Sequence, residues 1–470
     1  MRKRLIASLF VIGLVAGSAY LGNFVVRSPE FGVTILVGIA PVIMCLWILM
    51  REPTDRRFLI KLFLIALALR WVVAFFIHDR GLQNFFGGDA STFDIVGNAI
   101  SEAWQGRGSL DTAYMKSYLG DGRPGWGMYY FVGAIYYVIG QNQLAIQLIN
   151  CAFGAAACIA VYRIAMMIFP QTRVARTAAI LIAVSPSMIL WSSQVLKDAA
   201  IVLSLCLCTL YTLRLREKFK AKDLALLLIS LLCLYSLRNY ASYIMFLAIA
   251  GSLMLTAKRF SPIRVLQGGF LVVVLGLSLA YFGAANVPTN TFDLKRIQKT
   301  REWAAKEAKS GYGGDVDISD PSAALGFLPI GLLYVLFAPF PWTITNVRQL
   351  ITLPELLVWW ALVPMLIKGY WFAIRHRLKE TFSICVFTIG LTLVYALYQS
   401  NVGTAYRHRA QLYVFFIIFI SAGLQLRREA KERKRAQFGF GYPVSGPRTL
   451  PRAQTQLGTI ALQEHRGNSL

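Results

Sequence analysis

Apolar runs long enough to cross a bilayer recur from residue 5 to residue 426, separated by short polar linkers. A run of roughly 20 apolar residues reads as a membrane helix, because that length matches the hydrocarbon thickness. Such runs fall near 5–26, 32–50 and 58–77, then near 144–169, 176–192, 198–214, 223–237, 240–257 and 263–284. Three more lie near 354–374, 381–399 and 410–426. The pattern predicts an all-α polytopic membrane domain over 1–426, with about 12 transmembrane helices and both termini inside. Two large outer loops, about 78–143 and 285–353, interrupt it, and 427–470 reads as a basic, disordered cytoplasmic tail that begins as a charged helix end. The first run follows Met1-Arg2-Lys3-Arg4 and lacks a small-residue cleavage site, so it reads as a retained anchor.

Two apolar stretches fit this scheme poorly. Trp126–Gly140 is short and rich in Gly and Tyr, and Leu325–Trp342 contains Pro329, Pro339 and Pro341. Both read as juxtamembrane or re-entrant elements within the outer loops. Charge decides the first case. If 126–140 does not cross, the inner linkers carry Arg173 and Arg176, then Arg214, Arg216, Lys218, Lys220 and Lys222, then Lys258, Arg259 and Arg264. The outer linkers between those spans carry only Lys197 and Arg238. The positive-inside rule selects that reading, and a crossing segment would invert it.

Composition agrees with a membrane domain. The chain is 56% hydrophobic and 15% charged, against roughly 25% charged residues in soluble domains. A net charge of +25 would suit a nucleic-acid partner, but the basic residues cluster in linkers and tail, which excludes that class. The seven cysteines all lie in apolar runs with no CxxC spacing, which argues against a disulfide framework or a structural zinc site.

The chemistry-bearing residues gather at the outer ends of the predicted spans. The stretch Phe86-Gly87-Gly88-Asp89-Ala90-Ser91-Thr92-Phe93-Asp94 places two acids just past a membrane helix. Lys197-Asp198, Arg238 with Tyr240, and Arg407-His408-Arg409 occupy other outer ends. Such a boundary suits transfer of a sugar from a polyprenyl phosphate. An acid would take the acceptor's proton while Arg or Lys stabilises the phosphate leaving group. Each residue also has a plainer reading. Asp89 and Asp94 can cap a helix and face water, Lys197 and Asp198 can mark a span's water boundary, and the arginines can snorkel. His408 reads as structural, since no second His or acid stands at metal-site spacing to it. Asp315, Asp317 and Asp320 lie in a Gly-rich stretch that reads as a flexible, solvated loop. No residue set forms a metal motif, and a divalent cation is the one cofactor the acids leave open.

From Pro124 to about Arg216 the chain resembles bacterial GT-C membrane glycosyltransferases related to protein O-mannosyltransferases and the lipid A aminoarabinose transferase (glycosyltransferase 39-like). The matching stretches are Tyr130 to Gly140, Ala145 to Tyr162, and Ser185-Pro186-Ser187 through Lys197-Asp198. The resemblance implies a GT-C-like fold and an acid in the first large outer loop acting as base, a place that Asp89 occupies. Ala90 follows it where the mannosyltransferase branch carries an Asp-Glu pair.

Together these readings give an inverting, lipid-phosphosugar-dependent glycosyltransferase of a bacterial plasma (inner) membrane, with its active site extracytoplasmic. Its partners would be a polyprenyl-phosphate sugar donor, membrane lipids and a glycan, lipid or protein acceptor of the envelope. Asp89 is the expected base, Asp94 orients acceptor or metal, and Lys197, Asp198, Arg238, Tyr240, Arg407 and Arg409 are expected to bind substrate. Two alternatives stand beside it: a polysaccharide polymerase or ligase acting on lipid-linked chains, and a lipid-linked sugar flippase without chemistry. The flippase reading expects mid-span charges and repeat symmetry, whereas the charges here gather at span ends.

Overall fold

The computed structural model describes residues 31–85, 88–120, 125–255, 293–308, 310–344 and 347–437. The anchor at 5–26, the span near 263–284, Phe86 and Gly87, and the tail beyond 437 lie outside the described residues. Among the described residues the chain is helical, with one isolated antiparallel bridge between Gly311 and Asn401. It divides into two compact units. The first runs to Ala156 and takes in Met188–Ala200; the second holds Ala157–Ser187 and the chain from Ile201 onward.

The first unit opens with α1 (Phe31–Met50) and α2 (Arg56–Asp79). Leu36, Ile43 and Met44 on α1, and Ile65, Val72 and Phe76 on α2, are exposed. Bulky apolar faces of this kind suit helices whose solvent is lipid. Arg51 stacks over the Trp47 ring at 3.6 Å, a cation–π contact where α1 ends.

The stretch predicted as the first outer loop contains three α-helices, α3 (Asp89–Trp104), α4 (Ala113–Leu119) and α5 (Gly127–Ile139). α3 and α5 meet closely because both contact positions lack a side chain. A Cβ on Gly97 would stand 2.4 Å from Val132 Cγ1, and one on Gly133 would stand 2.7 Å from Ile100 Cγ2. Val96, Ile100 and Met115 form a small core there, with Tyr118, Tyr129 and Tyr130 packed against it. The 13 residues of α5 reach about 20 Å at about 1.5 Å per residue, short of the roughly 30 Å hydrocarbon core. α6 (Gln143–Ile168) follows and continues into the second unit.

The predicted span at 176–192 is broken into α7 (Thr172–Val184), in the second unit, and α8 (Pro186–Ser192), from which Met188 onward belongs to the first unit; the two are bent by 57°. Pro186 disfavours helical backbone at the residue before it, and Ser185 is accordingly extended (φ −63°, ψ 121°). α9 (Asp198–Glu217), α10 (Ala221–Leu237) and α11 (Asn239–Met254) come next. The remaining helices are α12 (Leu294–Glu307), α13 (Pro321–Phe337), α14 (Val347–Tyr398), α15 (Val402–His408) and α16 (Ala410–Gln437). α14 joins two predicted spans across a break at Arg377 (φ −137°, ψ 27°), within the basic linker expected between them. It packs on α16 at backbone distance: a Cβ on Gly369 would fall 1.8 Å from Phe419 O, and one on Gly423 would fall 2.0 Å from Met365 O. Small residues serve such contacts between membrane helices, where no apolar driving force sorts helix from lipid.

Six helices among the described residues are long and apolar enough to cross a membrane, or seven if the bent α7–α8 pair is one span. Three shorter apolar helices, α5, α11 and α13, accompany them. The fold is that of an all-α polytopic membrane protein.

The stretch predicted as the second outer loop holds a small core where it is described, from Asp293 onward. Ile297, Tyr312, Ile318, Phe327 and Val402 form its core, and Tyr334 stacks on Tyr312 at 3.9 Å. Arg301 is fully buried, donates from Nη2 to Gly313 O at 2.8 Å, and lies 4.1 Å over the Phe327 ring. Asp315, Asp317 and Asp320 are exposed, in keeping with the solvated loop expected there, and two of them make local hydrogen bonds. Asp317 accepts from Ser319 N at 2.8 Å, and Asp320 caps α13 by accepting from Ser322 N at 2.9 Å.

Candidate active site

In the first unit the two loop acids part company. Asp89 is exposed in the first turn of α3, where the helix N-terminus favours negative charge. Asp94, one and a half turns on, is 5% exposed. Its Oδ1 accepts from the Tyr136 hydroxyl at 2.6 Å, and its Oδ2 accepts from Gln141 Nε2 at 2.9 Å and Gln143 Nε2 at 2.8 Å. One carboxylate thus fastens α3 to α5 and to the start of α6. Burial first, and then the Asp94 charge, raise the Tyr136 phenol above its usual range, so it remains a donor.

Lys197 belongs to the same unit. Its Nζ stands 5.9 Å from the centroid of Phe93, in the turn after Asp89. The strand of chain that carries it is held from α6. Gln147 Nε2 donates to Ser193 O, and Asn150 Nδ2 donates to Gln194 O and Leu196 O, all at 2.8 Å. Ser193 Oγ in turn donates to Arg70 O at 2.9 Å. Asp198, buried at the start of α9, ends this held segment. Gln147 and Asn150 were not singled out from sequence. Their signal was available: two amides three positions apart, one helical turn, inside an apolar run.

The second unit collects the arginines. Arg238 occupies the break between α10 and α11 and is 6% exposed. Its Nη1 donates to the Tyr395 hydroxyl at 3.2 Å, and its guanidinium lies 5.7 Å from the Tyr240 ring. Tyr395 donates onward to Gln411 Oε1 at 2.9 Å and has His408 stacked on it at 5.3 Å. His408 Nδ1 is 2.8 Å from Gln399 Nε2. Arg238, Tyr240 and His408 therefore form one cluster, organised by Tyr395, which sequence reasoning did not flag.

Arg407 and Arg409 differ in surroundings. Arg407 is half-buried on α15. Arg409 is 5% exposed and donates from Nε to Val335 O at 2.7 Å and from Nη2 to Ala338 O, closing the carboxyl end of α13. Burial pulls its guanidinium down to about 10, which leaves it charged at neutral pH. Nearby, Glu355 accepts from Ser185, Ser187 and Tyr406. Among the described residues no group of three or more His, Cys, Asp or Glu could hold a metal ion.

Residues 124–282 match a family model described as dolichyl-phosphate-mannose-protein mannosyltransferase. The match covers about a third of the chain and relates it to the GT-C-type glycosyltransferases. Among solved structures the chain is similar to the archaeal oligosaccharyltransferase AglB from Archaeoglobus fulgidus, in complex with an inhibitory peptide and a dolichol-phosphate. That similarity has a TM-score of 0.41 at 12% identity, over 87% of this chain and 55% of AglB. The chain therefore spans little more than half the length of that structure. No curated protein matches the chain.

Proposed function

We propose that this protein is an inverting glycosyltransferase that takes a sugar from a polyprenyl-phosphate donor on the outer face of a bacterial plasma membrane. The acceptor is a glycan, lipid or protein of the cell envelope. The observation that carries the reading is the family match over residues 124–282. It is supported by an exposed carboxylate in the first turn of α3, in the polar stretch that follows α2, and by the Lys197 ammonium 5.9 Å from the Phe93 ring in the next turn.

In this reading Asp89 accepts the proton of the acceptor hydroxyl as its oxygen attacks the anomeric carbon. The bond from that carbon to the phosphate oxygen breaks, and the polyprenyl phosphate leaves with the electron pair. Lys197, Arg238 and Arg407 are the proposed stabilisers of the phosphate charge, with Tyr240 beside Arg238. Asp94 acts as a positioning residue, since its oxygens are occupied by Tyr136, Gln141 and Gln143. Arg409 and Asp198, both buried, shape the elements that carry Arg407 and Lys197.

Incubating purified protein with radiolabelled polyprenyl-phosphate sugars and envelope extract tests the assignment. Labelled sugar should move to an acceptor with wild type and not with Asp89→Asn at equal membrane abundance. Normal transfer by Asp89→Asn would overturn the assignment of the base, and transport without product would overturn the enzyme reading.

A further inference from the structure

Glu355 stands in the second unit, near the start of α14, in a run that is otherwise apolar from Leu350 to Ile367 apart from Thr352. Its carboxylate accepts four hydrogen bonds. Oε1 takes the hydroxyls of Ser185 (2.6 Å) and Ser187 (2.8 Å); Oε2 takes the Ser187 N–H (2.9 Å) and the Tyr406 hydroxyl (2.7 Å). The donors come from the break between α7 and α8 and from α15, so one side chain ties three segments together. Leu356, Trp359 and Tyr413 wall the group from the sides.

A glutamine would keep only one of the two acceptor oxygens and turn an NH2 toward the other partners; the Ser187 N–H can only donate, and the hydroxyls facing that NH2 would have to turn from donors to acceptors. The same clasp also governs α15. This short helix is tied at its start, where Val402 N donates to Ser310 O at 3.0 Å and Asn401 Oδ1 accepts from Gly403 N at 2.9 Å. Arg409 ties its end to α13. Between those ties the contact through Tyr406 sets the rotation of the helix, and Arg407 is the next residue along.

We propose that Glu355 is a positioning residue that, through Tyr406, fixes α15 so that Arg407 meets the phosphate of a polyprenyl-phosphate ligand. The assignment of that ligand rests on the reading under Proposed function; the clasp itself does not.

The test uses detergent-solubilised full-length protein and two independent readouts. The first is hydrogen–deuterium exchange in peptides covering 400–410, which needs no ligand. The second is the Kd for farnesyl phosphate. Glu355→Gln should speed exchange across 400–410 and raise Kd about tenfold, the effect of one misplaced charge-assisted contact. Tyr406→Phe removes a single donor and should move both readouts in the same direction by less, which keeps the test alive if Glu355→Gln does not fold. The double variant Glu355→Gln/Arg407→Gln should bind no more weakly than Arg407→Gln alone, because both changes act on one guanidinium. Unchanged exchange in both single variants overturns the clasp. Faster exchange with wild-type affinity, or additive losses in the double variant, overturns the positioning of Arg407. Wild-type protein that does not bind farnesyl phosphate overturns Arg407's part and the donor reading, and the exchange data then decide the clasp by themselves.

Discussion

Asp89 and Asp94 should respond to substitution in opposite ways. Asp89 is exposed in the first turn of α3. Replacing it with Asn removes an interaction with the helix N-terminus worth about 0.3–1 kcal/mol. If Asp89 is the general base, the same change lowers turnover by about 10²–10⁴-fold, or roughly 3–5 kcal/mol of barrier. Asp94 reverses the ratio. Its carboxylate accepts three hydrogen bonds in the interior, and Asp94→Ala leaves Tyr136, Gln141 and Gln143 without that acceptor. Losing a buried charged acceptor of this kind costs about 2–4 kcal/mol of folding stability. Tyr136→Phe should cost less, about 1.5–3 kcal/mol at most, because the two glutamine contacts survive. Thermal unfolding followed by size-exclusion chromatography, run beside the transfer assay, separates the cases. Asp89→Asn should melt close to wild type and be inactive. Asp94→Ala should melt lower, with the folded fraction that remains losing less activity than Asp89→Asn. A stable, inactive Asp94→Ala beside a fully active Asp89→Asn would refute the division of labour.

Further outcomes follow from the packing and the caps. Gly97→Ala should destabilise the first unit by about 1–3 kcal/mol, since the new Cβ would meet Val132 Cγ1 at 2.4 Å; a melting temperature equal to wild type would contradict the close α3–α5 contact. Arg301→Leu should loosen the described part of the second outer loop, read as faster hydrogen exchange over 310–318, because it removes the donor to Gly313 O. Hydrogen bonds from the Ser322 hydroxyl and then from the Ala323 and Ser322 N–H groups hold the Asp320 carboxyl below its usual range. Its contribution to stability is therefore present above the unfolded value of about 3.9 and is lost as pH falls through the lower folded value. The difference in melting temperature between wild type and Asp320→Ala should be constant near neutral pH and shrink below about pH 4.

The membrane helices were legible because lipid imposes one demand, a long apolar run, and hydropathy records it directly. The starts of α1, α2, α6 and α9 fall within a few residues of their predicted places for that reason. Local backbone chemistry was harder to read. A hydrophobic window runs straight across Pro186, yet the proline forces Ser185 out of the helical region and bends the predicted span. The outer loops were legible only as polar intervals. Their order comes from contacts distant in sequence, such as Ser400 Oγ donating to Arg301 O and Tyr312 N donating to Ser400 O. No local pattern announces such pairings. The same limit made Asp89 and Asp94 look equivalent, since the donors that set Asp94 apart lie more than forty positions away.

Polar side chains inside apolar runs were the signal left unused. Arg70, Gln147, Asn150 and Glu355 each interrupt a hydrophobic stretch, and a polar group in such a place must find partners within the protein. Gln147 and Asn150 do so by gripping chain that is not a regular span, holding the carbonyls of Ser193, Gln194 and Leu196, and Glu355 does so by holding Ser187 and Tyr406; the Arg70 side chain instead donates to Ala66 O on its own helix at 2.9 Å. The gripped segments are also the ones that carry Lys197 and Arg407. A cation that must meet a phosphate at a membrane boundary cannot rely on a mobile loop, because each ångström of freedom weakens a contact that depends on geometry. Within each unit, then, polar residues inside a membrane helix hold the short segment that carries a cation: α6 holds the segment of Lys197, and α14 holds that of Arg407, both of them residues proposed to touch the donor.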